Sequence, residues 1–317
     1  VYLAVGVAAI CGALLVMLTV LTRARRVPPP GPHPFPTPVK LPTPPPRSDP
    51  PGLGTTVLSF GHEGIGPGLF KDARSIAVDS FGNIYVGEYM ERRVQVFDSA
   101  GKFVTQWMVR PEMAVSEMTA DRKGNVYIEG SGTIWRFEAS TGKELGHMDY
   151  PGGAQFNDVI ATPDGGLIAS QYNSSDDIIR FDANGKTTLV IRKAVSKQSE
   201  RPELQVHVAV DGLGNIYALS MFSNAVYKFT PDGKFISKFG SEGDEPGQFR
   251  APMAIAVDGQ GRVYVSDFKG IQVFDTNGRF LGPIKFHGPA LGMVFDDSNA
   301  LFAAARDHVI KLAINSR

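Results

Sequence analysis

The sequence predicts an all-β protein: a six-bladed β-propeller closed by an N-terminal strand, preceded by a transmembrane helix and a Pro-rich stalk. Three observations predict it. One unit recurs six times, with its landmark position at Asp79, Asp121, Thr162, Asp211, Asp258 and Asp296. Each unit holds four short runs rich in β-branched and aromatic residues, joined by Asp- and Gly-containing turns. The last unit lacks its fourth run, and a matching run stands ahead of the first.

The chain divides into residues 1–22, 23–54 and 55–317. Residues 1–22, "VYLAVGVAAICGALLVMLTVLT", carry no charge and are long enough to cross a bilayer as a helix. Cys11, the only cysteine, lies inside this run, so an intramolecular disulfide or a Cys-based metal cluster is excluded. Arg23, Arg25 and Arg26 follow. Alone they put the C-terminal side in the cytoplasm, but the rule needs both flanks, and the sequence starts with the span. The next stretch, "VPPPGPHPFPTPVKLPTPPPRSDPP" (27–51), is about half proline. Proline fixes φ and lacks an N–H, so this segment reads as a polyproline II spacer reaching at most about 75 Å, at ~3.1 Å per residue.

In the first unit the expected strands are Ile76–Val78, Ile84–Val86, Val94–Phe97 and Phe103–Trp107. "DSFGN" and "DSAGK" supply the tight turns between them. Such a unit is an antiparallel meander. A lone four-stranded sheet cannot bury both faces, whereas six arranged radially can. The landmarks lie 38 to 49 residues apart, which suits one small sheet per unit. The sixth unit ends in "HVIKLAINSR"; "TTVLSF" (55–60) resembles the outer strand "KFISKF" (234–239) and is expected to complete it. A repeated phrase, "FGHEGIGPGLF" at 60–70 and "FGSEGDEPGQF" at 239–249, is expected to carry the chain from one blade's rim to the next blade's axis.

The pattern "GxEGxxPGxF…IAVDxxGNIYV…RVQVFDxxGKF" over residues 55–317 resembles the NHL-repeat family of six-bladed propellers, of the membrane-anchored bacterial type. It is clearest in the first and fifth units and faintest in the third and sixth. The resemblance implies the fold; its members include scaffolds, extracytoplasmic sensor domains, RNA-binding modules and a few metal-dependent lyases or lactonases. The anchored habit of such propellers favours an extracytoplasmic domain over the cytoplasmic one that the arginines suggest.

Turns joining first to second and third to fourth strands are uniform and should share one face. The second-to-third loops and the crossings vary, so a binding surface is expected on the other face. The residues opening the inner strands are Ser75, Glu117, Asp158, His207, Ala254 and Gly292. Glu117, Asp158 and His207, with Asn157 alongside, offer oxygen and imidazole ligands from adjacent blades, a set suited to Ca²⁺ or Zn²⁺. A second ring after the second strands contains Tyr89, Ser131, Tyr172, Met221, Phe268 and Arg306, with Phe222 beside Met221. Tyr89, Tyr172, Met221, Phe222, Phe268 and Arg306 are the candidate partner-binding residues. The charged crossing "RKAVSKQSERPELQV" (192–206) reads as a solvated loop.

Formally the chain is neutral, with 32 basic and 32 acidic residues, and no basic-aromatic stripe is present, which argues against nucleic-acid binding. The leading expectation is a membrane-tethered, monomeric propeller that binds a protein, peptide or glycan through its variable face and needs no cofactor. The alternative is a metal-dependent lyase or lactone hydrolase working at the central channel mouth.

Overall fold

Valine, isoleucine and aromatic runs alternating with Asp-Gly turns fold locally into hairpins, and the turn chemistry repeats around the molecule. Asp79 shows the device. Its Oδ1 accepts from the Phe81 and Asn83 amides at 2.9 Å, and its Oδ2 accepts from Asn83 Nδ2 at 2.8 Å and the Tyr85 hydroxyl at 2.9 Å. Gly82, at φ 82°, closes the turn. Asp121 and Asp211 repeat this set, and at Asp258 the Arg262 Nε replaces the asparagine amide. Thr162 instead donates to Asp164 Oδ1 at 2.5 Å. The landmark residues are therefore turn caps.

A computed structural model describes residues 52–315, apart from 152, 154, 173, 174 and 287. The expected membrane helix and nearly all of the stalk lie outside the described residues. Among the described residues no helix is long and apolar enough to cross a membrane.

Among them, six four-stranded antiparallel sheets form, as the repeats predict. The first blade comprises β2 (Ala73–Val78), β3 (Ile84–Glu88), β4 (Arg93–Phe97) and β5 (Phe103–Met108). The second has β6 (Glu117–Ala120), β7 (Asn125–Gly130), β8 (Thr133–Glu138) and β9 (Glu144–His147). The third has β10 (Phe156–Ala161), β11 (Leu167–Gln171), β12 (Ile178–Phe181) and β13 (Thr187–Ile191). β14 (Val206–Val210), β15 (Ile216–Ser220), β16 (Ala225–Phe229) and β17 (Phe235–Phe239) form the fourth. β18 (Ala254–Val257), β19 (Val263–Asp267), β20 (Gly270–Phe274) and β21 (Phe280–Ile284) form the fifth. The sixth joins β22 (Gly292–Phe295), β23 (Ala300–Ala305) and β24 (His308–Ile314) to β1 (Gly54–Phe60).

β1 is the borrowed outer strand. It pairs antiparallel with β24 from Gly54↔Ile314 to Phe60↔Val309, with one bulge between Thr56 and Leu58. The inner strands β2, β6, β10, β14, β18 and β22 each neighbour the next, and β22 returns to β2, so the ring closes. The apolar core is divided accordingly into six clusters, each filled by two adjacent blades. That is why β3, β4, β15, β19 and β20 are buried along their whole length, whereas the outer strands β5 and β17 alternate with solvent.

The repeated phrase is scaffold. Phe70 and Phe249 are fully buried, and Gly61 and Gly240 press against their rings so closely that an added Cβ would sit 2.3 Å from a ring carbon. Gln95 on β4 holds the first copy, accepting from the Gly68 amide at 2.8 Å and donating to the Leu69 carbonyl at 2.7 Å. Gln272 on β20 holds the second through Gly247 (3.1 Å) and Gln248 (2.7 Å).

One expectation is corrected. The crossing at 192–206 is not wholly a solvated loop. It contains one helical turn, Ser196–Ser199, and buries Ala194, Val195 and Glu203. The buried Asp176 pins it by accepting from the Val195 and Ser196 amides, each at 2.6 Å. A buried carboxylate needs donors, and this loop supplies them.

Candidate functional site at the upper channel mouth

All inner strands run from the variable face, called upper here, to the face of uniform turns. At the lower mouth, a cavity of about 240 Å³ is lined by mainly apolar inner-strand residues and by turn residues, including Asp79, Asp121 and Asp296. Those carboxylates are spent on their turns. The upper mouth opens into a larger cavity of about 850 Å³, whose lining is polar and differs from blade to blade.

Strand register places the expected ring. Glu117 on β6 lies opposite Glu129, Asp158 on β10 opposite Ser170, and His207 on β14 opposite Leu219, equivalent rungs of successive blades. Potential ligand atoms of Glu117, Asp158 and His207 all lie within 4.8 Å of one another. His207 Nδ1 is 3.5 Å from both Glu117 Oε1 and Asp158 Oδ2. Asp158 also ties blades three and four together: its Oδ2 accepts from the Val208 amide at 2.7 Å, and its Oδ1 from its neighbour Val159 at 2.7 Å. Asn157 lines the cavity from a bulge between Phe156 and Asp158, with its Nδ2 donating to the Val206 carbonyl at 2.9 Å.

Burial dominates the electrostatics. It pushes the Glu117 carboxyl well above the ordinary carboxylate range, and the charges of Asp158 and Glu129 push it further. Burial likewise raises Glu129 to about 7, against hydrogen bonds from the Gly132 amide and Ser116 that favour its charged form. Glu129 is absent from the residues singled out in the sequence. Its signal is "YIEG" standing where the first unit has "YVGE", which sets a carboxylate on the rung opposite Glu117. The donor set suits a divalent cation, since hard oxygens and one imidazole converge where like charges otherwise repel.

The second ring is dispersed. Tyr89, Ser131, Tyr172 and Met221 line the cavity. Phe222 and Phe268, 57% and 61% exposed, stand away from it. Arg306 turns toward Asp72, with its Nε 3.7 Å from Asp72 Oδ1, and its backbone pairs with Ala73. Arg74, Glu112 and Gln155, also missed in the sequence, complete much of the polar wall.

A closed ring of six sheets with a polar mouth defines a six-bladed β-propeller. No protein-family profile matches the chain. It is 26% identical over 217 residues to NHL repeat-containing protein 3 of Mus musculus, a distant homologue; the match covers 65% of this chain and 53% of the mouse protein, so the chain spans about half the length of the curated relative it matches. Among solved structures, a gluconolactonase of Xanthomonas campestris aligns with TM-score 0.60 at 16% identity, over 82% of this chain and 99% of the other. A streptogramin B lyase aligns with TM-score 0.59 at 12% identity, over 81% and 97%. At such identities the likeness concerns the fold alone.

Proposed function

We propose that this chain is a membrane-tethered propeller that holds a divalent cation at its upper mouth and, with it, binds a small polar ligand or the polar end of a peptide or glycan. The observation that carries this reading is the convergence of Glu117, Asp158 and His207 within 4.8 Å, with Glu117 and His207 lining a cavity of about 850 Å³ and Asp158 buried beside them. Glu117, Asp158 and His207 would hold such a cation, whose charge would offset the clustered carboxylates and attract polar ligand atoms. Tyr89, Tyr172 and Met221 furnish apolar walls, while Phe222 and Phe268 extend the contact for a larger partner.

The tether reading rests on the charge-free run at 1–22. Asn315 Nδ2 donates to the Gly52 carbonyl at 2.5 Å, so both ends of the described propeller meet at the lower rim. We assign the propeller to the extracytoplasmic side; digestion by protease added to intact cells is the expected result, and protection would reverse the assignment.

A second reading, catalysis, is favoured by Glu129. A carboxyl that titrates near neutrality beside the cluster has the properties of a general base. A bound divalent cation supplies Lewis acidity, polarising a carbonyl or easing the ionisation of water. Glu129 would take the proton, and the surrounding walls would orient a lactone or an eliminating substrate, the reaction types named for the two structural neighbours.

Elemental analysis and calorimetry with Mn²⁺, Ca²⁺ and Zn²⁺ test the first reading. One ion per chain is expected, lost in Glu117→Gln and in His207→Ala while circular dichroism stays unchanged. Folded protein that takes up no ion would end it.

A further inference from the structure

The two sides of the upper mouth differ in charge. The second, third and fourth blades contribute Glu117, Asp158 and His207. The first blade, which neighbours the second around the ring, contributes Arg74, the one Lys or Arg among the described residues lining the cavity. Its position is built. Arg74 occupies a bulge between Ala73 and Ser75 on β2, the same place that Asn157 takes on β10. A bulge of this kind re-aims the extra side chain away from the ladder.

The guanidinium is then fixed in two ways. It lies over the Tyr89 ring, with its central carbon 4.1 Å from the centroid. Its Nε and Nη2 both address Asp72 Oδ2, at 3.0 and 2.9 Å. Nη1 has no partner among the described residues. Asp72 does not cancel the charge here, because it faces two cations. Arg306 Nε stands 3.7 Å from Asp72 Oδ1, beyond hydrogen-bond reach, and that buried oxygen has no hydrogen-bond partner. Two guanidiniums share one carboxylate, so Asp72 only partly offsets the Arg74 charge. An arginine held rigid against an aromatic ring, with donors left free at a cavity wall, is suited to a planar anion.

We propose that Arg74 is the anion-recognition residue of the upper cavity, and that the ligand is a small hydroxy acid, its carboxylate on Arg74 and its hydroxyl oxygens turned toward the Glu117–Asp158–His207 cluster. A monoanion is the fitting charge. Glu112, Glu117 and Glu129 line the same cavity and repel a second negative charge. The proposal rests on the cation reading for the hydroxyl end, and on Arg74 alone for the carboxylate end.

Galacturonate and its amide, galacturonamide, form a probe pair alike in shape and different in charge. Calorimetry on the Mn²⁺-loaded protein is expected to show galacturonate binding at least tenfold more tightly than the amide. In Arg74→Met, whose stem still covers Tyr89, the preference should fall to about onefold while Mn²⁺ affinity is unchanged. Arg74→Lys should keep part of it. Equal affinity for acid and amide, absence of binding for both, or a preference that survives Arg74→Met would overturn the proposal. Mn²⁺ titration of the protein alone reports separately on the cation site. If that site fails, the acid-to-amide ratio on the metal-free protein decides for or against Arg74.

Discussion

Burial sets the Glu129 carboxyl near 7, against 4.5 when exposed. A raised carboxyl pKa means that the fold favours the protonated form. The corresponding stability is therefore complete below about pH 4.5 and is lost as pH climbs through 7. In chelator-treated protein, Glu129→Gln removes this liability. The variant should melt like the parent at pH 4.5 and be more stable at pH 8, by roughly 3 kcal/mol at most, from ~1.4 kcal/mol per unit. Thermal melts across that range check it; a variant that loses as much stability as the parent between pH 5 and 8 would contradict the burial of this carboxyl. Glu117 adds a linked expectation for the loaded protein. Because burial favours its protonated form, cation uptake should be coupled to proton release, and affinity should rise with pH. Calorimetry in buffers of different ionisation enthalpy measures that proton directly.

At the scale of the element, the repeated phrase and the strand beneath it act as one unit. Gln95 is fully buried and serves Gly68, Leu69 and Glu88 together. Gln95→Leu keeps the volume but orphans the Gly68 amide, at about 1–3 kcal/mol before relaxation, while the Leu69 carbonyl and Glu88 keep their bonds to Arg93. Gln272→Leu should cost a similar amount, since it performs the same task for Gly247 and Gln248. Matching losses in urea melts, with Mn²⁺ uptake intact in Gln272→Leu, mark the phrase as architecture; an effect confined to one copy would argue against it. The repeat made this much legible, because hairpins are local and each blade solves the same problem. The triad was legible for the same reason: Glu117, Asp158 and His207 sit on one rung, and aligning the repeats aligns the rungs. Glu129 and Arg74 were not. Glu129 matters only through its cross-strand partner Glu117, a pairing set by register. Arg74 depends on a bulge that adds a residue to one strand without changing the motif around it. The pinned helical turn at Ser196–Ser199 was missed because its anchor, Asp176, lies some 20 residues earlier in an unremarkable loop.

For the whole molecule, closure is the decisive event. Every blade buries two faces against neighbours, so the first and sixth each keep one face exposed until the ring is shut. The latch is β1: it carries the ladder from Gly54 to Phe60 onto β24 and sets Phe60 against Phe97 of the first blade, ring centroids 4.7 Å apart. Leu53, just before it, is buried with the core between the fifth and sixth blades. Removing residues 52–60 while retaining the rest should expose the β24 edge, lower the melting temperature steeply and promote association through the unpaired strand. A chain starting at Gly52 keeps the latch and should melt as the full chain does. Supplying the peptide Gly52–Phe60 in trans to the truncated propeller should restore part of the loss, because strand addition is the interaction removed. The cation site reports on the same event from the opposite side of the ring. Glu117, Asp158 and His207 come from three separate blades, so an open ring should hold Mn²⁺ more weakly although none of the three has been altered. Truncated protein that binds Mn²⁺ with undiminished affinity would show that the second to fourth blades hold their geometry without closure.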